Sequence, residues 1–308
     1  MLQREEFNYA SIGIPYQERF LTREQKYILL QDWPSNSNCE KCGKSSADVI
    51  DRFRNTNLVL PAYKYPWIVA LIRDDQVICS GTIISQKFIL TAAECVFRPG
   101  GAIEQKCQLL IPPQECYHTP GELSIKLQGE ITLGKTITIK RIKPHLLFNY
   151  AKKMNNIALI ELEQPLECSP TTSPICLPLK AQELKLGYNL SIAGWGTHAE
   201  FDYNDEFYTL REGEMVKVET SNCNNPEVPK IFHKQYVCAF GKKQSACQGD
   251  IGGSAFTRSG KSYYAVGIVS HGNEPKFRPL QPITFTNVNH FAAWIRLFVR
   301  QLPQPWSN

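Results

Sequence analysis

No stretch of the chain approaches the roughly 20 consecutive apolar residues that cross a bilayer as one helix, which excludes a helical transmembrane segment. Residues 1–20 lack a basic opening followed by an apolar core, so no secretory signal peptide is visible. There is no low-complexity tract and no repeat at a fixed period. Charge of one sign is not gathered into blocks: the formal net charge is only +5, and the basic stripe that a nucleic-acid partner requires is missing. The six histidines are scattered, with no His-x-x-x-His spacing. The pair Cys39-Glu40-Lys41-Cys42 has no second pair at zinc-site spacing. Neither a metal nor a cofactor is expected.

Cysteine is what the chain has in plenty. Eleven in 308 residues point to an oxidising compartment, outside the cell or in the lumen of a secretory vesicle. Residues 1–53 read as a polar, irregular tail of propeptide character. From Tyr65-Pro66-Trp67 onward the chain becomes a series of short β-branched runs broken by Gly, Pro and Asn, the pattern of an all-β barrel or sandwich. Such runs are Trp67 to Ile72, Thr82 to Ser85, Phe88 to Thr91, Ser124 to Leu127, Ile137 to Ile142, Ile157 to Leu162 and Ala265 to Ser270. Near the end, Phe291, Trp294, Ile295 and Phe298 are spaced for one face of a helix over 289–302, packed on the body and stopped by Pro303. Residues 54–302 therefore form one body, and 303–308 a C-terminal tail.

Three short stretches stand out: Thr91-Ala92-Ala93-Glu94-Cys95, Asn155-Asn156-Ile157-Ala158-Leu159 and Gly249-Asp250-Ile251-Gly252-Gly253. Together with Cys79-Ser80-Gly81-Thr82, Pro174-Ile175-Cys176-Leu177-Pro178, Ala193-Gly194-Trp195-Gly196 and Val266-Gly267-Ile268-Val269-Ser270, in this order and spacing, they resemble the trypsin/chymotrypsin family of serine proteases. The resemblance runs from about Pro66 to Leu302. It implies two packed six-stranded antiparallel β-barrels with a cleft between them and a C-terminal α-helix. It also places Glu94 where the family has its catalytic His, Asn156 where it has Asp, and Ile251 where it has the nucleophilic Ser. A serine nucleophile needs a base to take its proton, and the base needs an anion to hold its tautomer. At these positions stand a hydrocarbon, a carboxylate and an uncharged amide.

The resemblance further implies the pairs Cys79–Cys95 and Cys223–Cys238. Cys168 and Cys176 lie eight residues apart, a spacing similar to acrosin-like members, in which two tail cysteines reach two body cysteines. This implies Cys39–Cys168 and Cys42–Cys176, with the reverse pairing open. Cys107 and Cys116 are placed to close an inserted loop. One family bridge is missing on both sides, at Leu190 and Thr257. Cys247 has lost its usual partner and is expected to be a free thiol, either buried and inert or a linker to another chain.

Other features of an active member are also altered. The new terminus of the family's activation cut maps to Arg54, inside Asp51-Arg52-Phe53-Arg54-Asn55-Thr56-Asn57, without the sequence that supplies a new ammonium to Asp250. That carboxylate must then be exposed, protonated or otherwise paired. The N–H groups of Gly249 and Ile251 mark a vestigial oxyanion hole. The vestigial specificity pocket holds Ser245 at its floor, His271 and Gly272 along its wall, and Ile283 where a small residue keeps the mouth open. Asn189-Leu190-Ser191 is a glycosylation acceptor in a secreted protein. The expectation is a non-catalytic protease homologue that binds other proteins (active proteases or assembly subunits) as an adaptor, cofactor or decoy. The tail spacing suggests a sperm or reproductive-tract setting. The alternative is a structural component of a larger extracellular or sperm-associated assembly, attached through its tail.

Overall fold

The computed structural model of the chain describes residues 39–46, 63–129, 133–178, 187–196, 210–223, 228–241, 246, 249–271 and 282–306. After a two-residue strand β1 (Lys41–Cys42), six strands follow before residue 145. They are β2 (Ile68–Arg73), β3 (Gln76–Ile83), β4 (Phe88–Thr91), β5 (Ser124–Gln128), β6 (Leu133–Ile137) and β7 (Ile139–Pro144). With β8 (Ala158–Leu162) they form a seven-stranded antiparallel sheet in the order β6-β5-β2-β3-β4-β8-β7. The two edge strands, β6 and β7, are consecutive in the chain and separated only by Thr138. The sheet is thus curled back on itself and joined covalently at that residue. Taken as one bent strand, β6 and β7 make it a six-stranded ring. The sequence run from Ile137 to Ile142 reads as one strand because it is continuous; the structure breaks it at Thr138, where the chain changes neighbours.

The second half is a closed barrel in the order β10-β11-β14-β13-β12-β9. Its strands are β9 (Asn189–Gly194), β10 (Arg211–Val218), β11 (Tyr236–Phe240), β12 (Ser254–Ser259), β13 (Ser262–His271) and β14 (Ile283–Asn287). Every described pairing in both sheets is antiparallel. Continuous apolar runs become strands covered on both faces: Ile68 to Ile72 are all buried. The two halves meet through an aromatic cluster. Trp67, fully buried, stands edge-on to Phe256 at 5.4 Å, and Tyr65 does so at 4.7 Å. Polar bonds cross the same seam: Thr82 Oγ1 donates to Ser254 Oγ at 3.0 Å, and the Ser80 N–H to the Ile251 carbonyl at 2.8 Å.

The final helix, α1, spans only Ala292–Phe298, seven residues where the periodicity predicts fourteen and a stop at Pro303. Val299 has already left helical geometry at φ −105°, ψ 86°. The chain beyond it must extend to reach the tail, where β15 (Gln304–Pro305) runs parallel to β1 and the Gln304 N–H donates to the Glu40 carbonyl at 2.8 Å. Phe291, Ile295 and Val299 are buried in the main core. Phe298, placed by its spacing on the inner face, is exposed instead.

Among the described residues there are five disulfides: Cys39–Cys168, Cys42–Cys176, Cys79–Cys95, Cys107–Cys116 and Cys223–Cys238. The first two fasten residues 39–46 to the body, and a backbone ladder reinforces them. The Gly43 N–H donates to Pro174 O at 2.8 Å, and its carbonyl accepts from the Tyr263 N–H at 2.9 Å. Gly43 sits at φ +76°, and a Cβ there would run into the Tyr263 backbone. Only glycine meets both demands without strain. Cys247 lies outside the described residues.

Candidate active site

The three positions that the resemblance aligns with the family triad lie close together in the structure. Glu94 sits in the 3-10 turn Ala93–Val96 directly after β4, in the loop stapled by Cys79–Cys95. Asn156 lies just before β8, which pairs with β4, and is fully buried. Ile251 is in the turn entering β12, closed by a Gly253 N–H to Asp250 carbonyl bond of 3.0 Å. Its carbonyl lies 3.5 Å from Cys95 Sγ, one residue from Glu94.

Glu94 and Asn156 are locked together by two hydrogen bonds. The Glu94 N–H donates to Asn156 Oδ1 at 3.0 Å, and Asn156 Nδ2 donates to Glu94 Oε1 at 2.5 Å. The amide also reaches the second barrel, donating to Ser270 Oγ at 2.8 Å, and its backbone carbonyl accepts from Thr286 Oγ1 at 2.9 Å. A third participant is absent from the sequence reading. Lys153 Nζ donates to Glu94 Oε2 at 2.6 Å and stands over the Tyr150 ring at 3.7 Å. The pair is largely shielded, with side-chain exposures of 20% for Lys153 and 9% for Glu94. A carboxylate so placed needs a cation, because burying it alone costs several kcal/mol. Replacement of an imidazole by a carboxylate in a covered site is itself a signal to look for a Lys or Arg nearby, and Lys152-Lys153 stands three residues upstream of Asn156. Lys153 and Asn155 both occupy left-handed backbone, φ +49° and +52°, which turns the loop so that Lys153 meets Glu94.

Ile251 is half-buried and packs against the apolar clusters of both halves. At the position that the resemblance aligns with the nucleophile, a hydrocarbon joins the two cores. The preceding carboxylate, Asp250, is partly covered and accepts the Gly196 N–H at 2.8 Å. It lies so close to the backbone of Gly194 and Gly196 that a Cβ on either would overlap it. Gly249, at φ +96°, points its carbonyl at Ser80 Oγ, 2.7 Å away.

In the vestigial pocket, Ile283 is buried on β14 within the second barrel's apolar cluster, which also contains Ala246 and against which Ile251 packs. His271 closes β13. Ser245, Gly272 and the His271 side chain lie outside the described residues. Asn189 opens β9 with an exposed side chain, and Leu190 fills the barrel interior. Among the described residues no cluster of three or more His, Cys, Asp or Glu is placed to hold a metal ion, and no helix is long and apolar enough to cross a membrane.

Comparison with known proteins agrees with this architecture. The chain is 28% identical over 281 residues to Serine protease 56 of Homo sapiens, covering 89% of this chain and 43% of that protein. It is 28% identical over 270 residues to a trypsin of Phaedon cochleariae, covering 85% and 89% respectively. To Transmembrane protease serine 11E of Mus musculus it is 28% identical over 237 residues, covering 75% and 51%. The chain thus spans about half the length of two of these relatives. The family model described as Trypsin matches residues 59–295, more than three quarters of the chain, and carries the assignment. On this match, and on a fold of one closed six-stranded barrel packed on a second curled sheet, the chain belongs to the trypsin family.

Proposed function

We propose that this trypsin-family chain is a pseudoprotease: a secreted or luminal protein that binds other proteins and does not hydrolyse them. The observation that supports this best is the shielded ion pair of Glu94 with Lys153 at the general-base position. An imidazole there would exchange a proton with a nucleophile. This carboxylate is instead held by an ammonium and an amide, and the side chain at the nucleophile's place is Ile251. The barrier-lowering chemistry of a serine protease is a unit, and removing one member already costs several orders of magnitude in rate. Three members differ here.

The five disulfides support an oxidising location. The adaptor, cofactor or decoy role follows from a fold kept intact around a site without its reactive groups. An attachment role for the tail is favoured by a separate observation, the two disulfides and the β1–β15 ladder that hold residues 39–46 on the body.

A serine-directed fluorophosphonate tests the reading. The purified chain is expected to remain unlabelled under conditions that label trypsin fully, and Ile251→Ser alone is expected to remain unlabelled, since its base is still Glu94. Stoichiometric labelling of the unaltered chain at a residue of the cleft would overturn the proposal.

A further inference from the structure

Three segments of the chain carry cations and no anions: 143–154, 228–235 and 289–300 contain seven Lys and Arg between them and not one Asp or Glu. The fold brings all three together. The His145 ring lies 5.5 Å from Phe291 and 5.3 Å from Trp294, joining the first segment to the third. Asn155, just after the first, bonds back to it through its side-chain amide to Leu147 O at 2.8 Å and across to the second through its N–H to Gln235 Oε1 at 2.7 Å. Asn287 Nδ2 donates to Lys234 O at 2.9 Å, joining the second to the approach of α1.

The same surface exposes large apolar side chains that the core does not claim. Leu146 is 69% exposed, Ile231 78% and Leu297 74%, with Leu147, Phe232 and Phe298 also outward. Lys143 Nζ stands 5.7 Å from the centre of the Phe298 ring, so cation and apolar group alternate at the scale of one side chain. Burial holds His145 and His290 below the ordinary imidazole range, with Lys234 adding to the effect on His290. The fixed positive charge therefore comes from the Lys and Arg side chains other than Lys153, whose charge is met by Glu94.

We infer that this face docks on an anionic phospholipid surface, with Leu146, Ile231 and Leu297 entering the headgroup boundary and the Lys and Arg side chains meeting lipid phosphate and carboxylate. Protruding aliphatics beside an acid-free cationic field are what an interfacial site combines. A soluble polyanion such as a sulfated polysaccharide needs the cations alone and gains nothing from exposed leucines. The inference does not depend on whether the chain is catalytic.

The test is co-sedimentation of the full chain with vesicles of phosphatidylcholine, alone and mixed with phosphatidylserine, and in parallel retention on immobilised heparin. Binding to the mixed vesicles and weak or no binding to phosphatidylcholine are expected. Lys230→Gln with Arg296→Gln is expected to weaken vesicle binding by about 30-fold, the factor for two charges near an anionic leaflet. Leu146→Ser with Leu297→Ser is expected to weaken it about tenfold or more while leaving heparin retention unchanged. All four positions are exposed, and an unchanged thermal transition verifies folding. Failure to bind the mixed vesicles overturns the inference. So does vesicle binding that is insensitive to the two leucine substitutions, which would make the face a polyanion site.

Discussion

At the scale of single residues, Glu94 and Asn156, aligned by resemblance with catalytic positions, make structural contacts across the molecule. Asn156 bonds to Glu94 on one side and to Ser270 and Thr286 of the second barrel on the other, so it stitches the two halves where an orienting acid would serve chemistry. Glu94 depends on Lys153 in turn. Lys153→Met should leave a shielded carboxylate with no cation and destabilise the fold by about 3 kcal/mol. Adding Glu94→Gln should restore most of that loss, because the new amide oxygen still accepts from Asn156 Nδ2. Chemical denaturation of the two single variants and the double variant measures the coupling. Independent, additive losses would mean that the ion pair is incidental. The identity of Glu94, Asn156 and Ile251 was legible as a departure from the family pattern. Lys153 was legible only as a cation near Asn156; that it is the one to meet Glu94, 59 residues away, depends on a left-handed turn at Lys153 that lysine does not favour.

Among the elements, alternation and β-branched runs located most strands, since a pleated surface covered on one or both faces leaves a period or a run in the sequence. Their ends were less legible. α1 is half the length that its periodicity suggests, because Val299 onward is drawn into an extended path toward β1. That pairing comes from the opposite end of the chain, and local periodicity carries no trace of it. The clasp of β1 on β15 and on the Tyr263 backbone turns on Gly43. Gly43→Ala adds a Cβ at a positive φ against two backbone atoms, a strain of order 1–3 kcal/mol. Hydrogen exchange at Cys42 and Gly43 should accelerate, and the thermal transition should fall, without change at Asn156. Equal acceleration at both places would indicate that the clasp and the central seam unfold as one unit.

For the molecule as a whole, the two long-range disulfides join positions 129 and 134 residues apart. Closing a loop of that size removes roughly 4–5 kcal/mol of chain entropy from the unfolded state, and because the two loops overlap the second bridge adds less than the first. A nick by added trypsin within 51–57, at Arg52 or Arg54, should therefore give one band on a non-reducing gel and two on a reducing gel. Because the cut lies inside both closed loops, the unfolded chain regains that entropy, and the nicked protein should melt below the intact one although the pieces stay joined until reductant is added. Two bands without reductant would mean that residues 39–46 are not held covalently.

By itself the sequence pointed to the family, the all-β class, three of the five bridges, and Glu94, Asn156 and Ile251 as departures from the family pattern. Each is carried by residue type at a fixed place in a series of motifs. The order in which Cys39 and Cys42 pair with Cys168 and Cys176 was left to the structure. Only the tertiary structure decided what these positions touch: Lys153 neutralising Glu94, Ile251 joining two cores, and the tail laced to the C-terminal strand. It also gathered three acid-free segments, far apart in the chain, onto one face. These outcomes depend on which distant side chains meet, and a meeting is set by backbone turns and barrel closure, whose energies are summed over the whole chain and written at no single position.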